Sequence, residues 1–194
     1  MRKSLRNIHY ALLEKDDKTE ATYKTPEPLI GGITMKVTPA SESETQFADD
    51  GPFDVSYALG EIKVEGELAK FDLKTQALLL GHRYVDGVVV KHSDDQPPWL
   101  ALGFMSMRGP GDLEFKWLFK GKFALVEEEF GTATNKPEYR VPKLVGTFIK
   151  RVYDDVWEVA ATTLDEGFTP AKAEAWFAEV QTPPAPEETE GGEG

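Results

Sequence analysis

The sequence predicts a single α+β domain that is predominantly β, and three observations carry the prediction. Apolar and polar residues alternate with period two over much of the chain, the pattern of antiparallel strands with one buried and one solvated face. Two short stretches switch to a capped helical pattern. The 194-residue length suits one hydrophobic core and makes two marginal.

The elements follow in chain order. Short alternations at residues 8–13, 33–37 and 53–57 read as strands, each bounded by Gly, Pro or Asp. Between the second and third lies a polar stretch, residues 38–52, carrying Ser41, Glu42, Ser43, Glu44, Asp49, Asp50 and Gly51. It reads as a long loop, and loops of that length in a compact domain are usually functional or ordered by a partner. Residues 61–68 alternate most cleanly, with Ile62, Val64 and Leu68 on one face and Glu61, Lys63, Glu65 and Glu67 on the other. Asp72 is placed to cap a helix running to Leu80, and Gly81 suits the left-handed position at its end.

Residues 99–107 are apolar on both faces, which predicts a central strand covered from both sides. Residues 113–126 alternate with heavier side chains: Phe115, Trp117, Phe119, Phe123 and Leu125 are expected inward, and Glu114, Lys116, Lys120 and Lys122 outward. Residues 144–152 and 156–163 are expected to form a hairpin across Asp154-Asp155. Thr169-Pro170 then opens a short helix through Trp176 to about Ala178. The domain is expected to span residues 1–180. Residues 181–194 form a Pro/Glu/Gly tail without an apolar side chain large enough to bury, and are expected to be mobile.

Composition narrows the chemistry. The chain has no cysteine, which excludes disulfides, thiolate zinc sites and Cys nucleophiles. The net charge of −12 sets the summed field against nucleic-acid binding. No apolar run approaches the ~20 residues of a membrane-spanning helix. The basic start Arg2-Lys3 lacks a following apolar core, so Sec-dependent export is not expected.

Site motifs are sparse. His9, His82 and His92 form no metal-binding spacing; His82 with Asp86 would supply two ligands and lack a third, against the plainer reading of a surface histidine after a helix end. Ser106 lacks the glycines of a nucleophile elbow, and Gly31-Gly32 is no phosphate loop. The acid pairs Asp16-Asp17, Asp49-Asp50, Asp94-Asp95 and Asp154-Asp155 fall at expected turns, where Asp is favoured for local hydrogen bonds. Trp99, Trp117, Phe119, Phe123, Trp157 and Trp176 could stack sugars or bases, but core packing is the better reading. Lys116, Lys120 and Lys122 read as a solvated face, with pairing to acidic faces of identical neighbours as the alternative. Neither an enzyme nor a cofactor is expected.

The order of segments resembles the major tail, or tail tube, proteins of siphophages and prophages of Gram-positive hosts. The resemblance runs through Asn7-Ile8-His9-Tyr10-Ala11-Leu12-Leu13, Thr22-Tyr23-Lys24-Thr25-Pro26, Phe47-Ala48-Asp49-Asp50-Gly51 and Trp99-Leu100-Ala101-Leu102-Gly103-Phe104. It continues through Trp117-Leu118-Phe119-Lys120-Gly121-Lys122-Phe123 and Lys143-Leu144-Val145-Gly146-Thr147-Phe148 to Trp176-Phe177. The Asp154-Asp155 turn and the C-terminal tail depart from the family pattern.

The resemblance implies an antiparallel β-sandwich with a flanking helix. It implies a structural virion protein, made in the host cytoplasm, that forms hexameric rings stacked into the tail tube. Its partners would be copies of itself, the tape-measure protein and the tail-end proteins. DNA would pass through the lumen without specific binding, and no membrane would be involved. A secretion-system tube subunit would share this mechanism. On this reading Phe47, Asp49 and Asp50, with Lys116, Lys120 and Lys122, are the expected contacts between rings or subunits. A β-sandwich module binding carbohydrate or another ligand is the alternative class.

Overall fold

The computed structural model describes residues 5–48, 51–126 and 141–183, and for residues 42–48 and 51–57 the backbone alone. In chain order the elements are β1 (Leu5–Asp16), β2 (Ala21–Tyr23), β3 (Glu27–Pro28), β4 (Gly32–Ala48), β5 (Gly51–Leu68), α1 (Leu73–Leu80), β6 (Arg83–Val85) and β7 (Val88–Val90). Then follow β8 (Leu100–Gly109), β9 (Asp112–Ala124), β10 (Lys143–Ile149), β11 (Glu158–Thr162) and α2 (Pro170–Ala175). The fold is predominantly β, as the alternation predicts. Every strand pair is antiparallel.

A nine-stranded sheet runs in the order β2-β1-β8-β9-β10-β5-β4, with β3 added to β1 and β11 to β9; β6 and β7 form a separate hairpin. The large sheet curls. The Leu29 N–H donates to the Ile8 carbonyl at 2.7 Å. A Cβ placed on Gly32 of β4 would come within 2.1 Å of Ile8 in β1, so the start of β4 lies against β1.

Each face of the sheet carries a core. Ile8, Tyr10, Ile62, Val64, Leu100, Leu102, Phe104, Leu118, Phe123 and Phe148 share one, with Leu79 and Leu80 of α1 packed into it. Ala11, Ala101, Met105, Phe115, Trp117 and Phe119 share the other, covered by Trp176 at the end of α2 and by Phe168 and Phe177. Successive residues of β8 alternate between the two cores, so that strand is covered from both sides as expected. The register of β8 against β9 shifts between Leu100 and Leu102. That irregularity lets β9 commit Phe119 to one core and Phe123 to the other, although the two are four residues apart.

Glycines sit opposite aromatic rings across these strands: Gly103 faces Trp117, Gly121 faces Phe148 and Gly146 faces Phe123. At Gly103 an added Cβ would lie 2.8 Å from the Trp117 ring, and at Gly121 2.4 Å from that of Phe148. The missing side chain gives each ring its space.

The helix boundaries match their caps. Asp72 accepts the Thr75 N–H, Gly81 closes α1 at φ 75°, and Thr169 accepts the Lys172 N–H at the start of α2. The second helix is shorter than expected, ending at Ala175 and continuing as turns through Ala178.

Three expectations need correction. Residues 38–52 are no loop: β4 and β5 pair from Gly32↔Leu68 out to Ala48↔Gly51, and the polar stretch is the far half of one hairpin. The residues at its base, Thr38–Ser41 and Ala58–Glu61, are exposed throughout, so no apolar alternation marks the ribbon there. The expected hairpin across Asp154-Asp155 is absent: β10 pairs with β9 at Lys120–Ala124, and β11 pairs with the same edge of β9 at Glu114–Leu118, running in the same direction. The two behave as one strand interrupted by an excursion at residues 150–157. Finally, Leu125 is 67% exposed, whereas Leu118, on the face expected to be solvated, is fully buried. The curl of the sheet covers both sides of β9, and the strand ends before Leu125.

Candidate functional site

The far half of the β4–β5 hairpin is the feature that stands apart from the body of the fold. β10 pairs with β5 only from Ile62 to Glu67. Beyond Ile62, strands β4 and β5 pair only with each other among the described residues, so residues 51–61 extend roughly 35 Å past the sheet at about 3.3 Å per residue. Among the described residues, no neighbouring strand takes up the backbone N–H and C=O groups at either edge of that ribbon. Register shifts at Pro39/Ser41 and Gln46/Phe47 interrupt its pairing.

Of the residues expected to make contacts there, Phe47 belongs to β4, opposite Pro52. Asp49 and Asp50 lie outside the described residues.

The three lysines of β9 are neither on the arm nor on a solvated face. Lys116 pairs with Glu158 at 2.9 Å, and Lys120 pairs with Asp16 at 2.6 Å with only 3% of the Asp16 side chain exposed. Lys122 stands over the Trp99 ring at 4.6 Å, and Lys120 over the same ring at 5.1 Å. The acidic partners anticipated from neighbouring copies are supplied to Lys116 and Lys120 by the same chain. Trp99, expected in the core, is instead exposed immediately before β8, with its ring faced by these lysines.

Asp16 anchors a charged knot that the sequence reading assigned to a turn. Besides Lys120, it accepts the N–H groups of Val152 and Tyr153 at 2.9 to 3.1 Å. Burial pushes its carboxyl up, but Lys120 and the two N–H groups outweigh burial and hold it below the ordinary carboxylate range. The neighbouring Arg151 is buried; its guanidinium lies 3.8 Å from the centre of the Phe119 ring and pairs with Asp154 through Nε and Nη2. Tyr23 donates to the Phe119 carbonyl at 3.0 Å, and burial pushes its hydroxyl up to about 12. Together these groups pin residues 150–157 against β1, β2 and β9. The signal available in sequence was the placement of charges within an apolar stretch, which does not reveal partners more than a hundred residues apart.

The histidines separate. His82 pairs through Nδ1 with Asp95 at 2.6 Å and not with Asp86, which sits at φ 48° in the β6–β7 turn. Asp95 also accepts the His92 N–H, and the two contacts hold its carboxyl below the ordinary range, with the His92 N–H the larger cause. His9 stacks on Phe177 at 4.8 Å. No group of three or more potential metal ligands occurs among the described residues. Ser106 lies 3.4 Å from a Glu114 carboxylate oxygen.

A cavity of about 390 Å³ opens between the start of β1 and the turn joining β3 to β4, lined by Leu5, Arg6, Ile8, Leu29 and Ile30 among others. No helix among the described residues is long and apolar enough to cross a membrane. Compared with known proteins, the chain matches no family model and no curated sequence.

Proposed function

We propose that this chain is the subunit of a hollow tube, a siphophage-type major tail protein whose copies close into hexameric rings that stack. The observation that supports it most is the β4–β5 arm. A two-stranded ribbon on its own is marginal in water, and its open edges invite pairing with another chain. Ring stacking would cover those edges, and the polar Ser41, Glu42, Ser43 and Glu44 of the β4 strand would keep the free subunit from aggregating through its edge.

The sandwich expected of such a subunit is compatible with a curled antiparallel sheet enclosing a core. The overall acidity suits the task as well: six copies bring roughly −72 formal charges to each ring, and an acidic lumen repels the DNA backbone. Assembly would place the subunit in the virion tail.

A carbohydrate-binding module would draw on exposed rings. Trp117 and Trp176 are buried, and the Trp99 ring is faced by Lys120 and Lys122, so this reading has less to build on.

Deleting Ser41 to Gln46 tests the reading. The shortened chain is expected to stay folded, with a melting temperature close to that of the intact protein, and to lose stacking into tubes. Normal tubes from the deletion would remove the arm from the mechanism.

A further inference from the structure

Much of the β6–β7 hairpin is exposed apolar surface. Its register, Arg83↔Val90 and Val85↔Val88, places Arg83, Val85, Val88 and Val90 on one face. The three valines there are 46%, 59% and 39% exposed. Leu73 and Leu78 of the adjacent α1 add further exposed apolar surface. The tip is preformed: Asp86 and Gly87 both have positive φ, at 48° and 83°, as a tight two-residue hairpin turn requires. Three exposed valines on one face of a hairpin mark an interaction site.

The cavity between the start of β1 and the β3–β4 turn offers an apolar recess. Its floor is apolar through Ile8 and Leu29, its rim carries Ile30 at 75% exposure, and Ile33 nearby is 47% exposed. On that side β3 pairs with β1 only at His9 and Tyr10, so among the described residues no strand takes up the edge of β1 at Leu5–Asn7. Charge adds direction. Asp86 stands at the hairpin tip and Arg6 in the cavity wall, and neither has an ion-pair partner among the described residues.

We propose that neighbouring copies of this chain meet by seating the β6–β7 hairpin of one in the β1–β3 cavity of the next, valines against Leu5 and Ile30, with Asp86 toward Arg6. Each copy then gives one patch and receives the other, a heterologous contact that closes into a ring when the rotation between copies permits. This contact would lie within a ring, whereas the arm would act between rings. It rests on the tube-subunit reading and names the surfaces by which that reading builds its rings.

Sedimentation velocity and negative-stain microscopy of the full-length chain over a concentration series provide the test. Val88→Glu, at an exposed position, is expected to leave the circular dichroism spectrum and melting temperature unchanged and to raise the concentration needed for ring formation by about tenfold or more. Asp86→Arg and Arg6→Asp are each expected to weaken ring formation several-fold, and the two together to restore it. Rings at wild-type concentration from Val88→Glu, or a double reversal no better than either single one, would overturn the contact and leave the tube reading standing. A wild-type chain that forms no rings at any concentration would overturn both. The arm deletion separates the two surfaces further, since it should retain single rings while Val88→Glu loses them. Should Val88→Glu fail to fold, the charge-reversal set decides alone.

Discussion

Asp16 shows how much a single side chain can carry in this fold. It joins β1 to Lys120 of β9, across the intervening β8, and to the backbone of Val152 and Tyr153, so one buried carboxylate ties two non-adjacent strands together and holds the excursion between β10 and β11. Removing one member of a buried pair leaves the other charge uncompensated. Asp16→Asn is therefore expected to cost about 3–5 kcal/mol at pH 7. Its carboxyl lies below the unfolded-chain value, so its contribution is complete above that value, near pH ~4, and is lost as the pH falls through the lowered folded one. Denaturant unfolding of wild type and Asp16→Asn should show a constant gap from pH 7 to about 5 that narrows below about 4. A gap independent of pH would mean that the ionised carboxylate is not what holds the excursion.

At the scale of elements, α2 is small, yet it closes the second core. Trp117 Nε1–H donates to the Trp176 carbonyl at 3.0 Å, and the Trp176 ring meets Phe115 and Phe168 edge-on at 5.9 and 5.5 Å. Trp176→Ala is expected to destabilise the domain by about 3–5 kcal/mol, measured by chemical denaturation. A cost below 1 kcal/mol would show that α2 is an appendage.

Elements whose signal is local were legible in the sequence. The Asp72 and Thr169 caps and the Gly81 stop needed only neighbouring residues, and Ile62, Val64 and Leu68 declared the buried face of β5 by their spacing. Elements that depend on distant partners were not. The Asp154-Asp155 turn looks like a hairpin turn, but Asp16 and Arg151 hold the chain so that β11 resumes on the edge that β10 leaves. The β4 half of the arm carries no apolar period, so nothing in residues 38–52 distinguishes a ribbon from a loop. The same holds for the lysines of β9, whose partners Asp16 and Glu158 lie on other strands. Nor did the β6–β7 hairpin announce itself, since Val88-Val89-Val90 lacks the alternation that marks a half-buried strand.

The whole molecule couples a closed body to an open extension. The sheet curls until β4 meets β1 and buries a core on each face, which gives the body its rigidity. The β4–β5 arm leaves that body with neither edge paired among the described residues, a liability in a free protein and an asset in an assembly. In the tube we propose, the body would set the wall and the arm would reach from one ring to the next. The most direct measurement is electron microscopy of the purified full-length chain at high concentration. Stacked six-fold rings with a continuous bore are the expected result; a monodisperse monomer at every concentration would contradict the account.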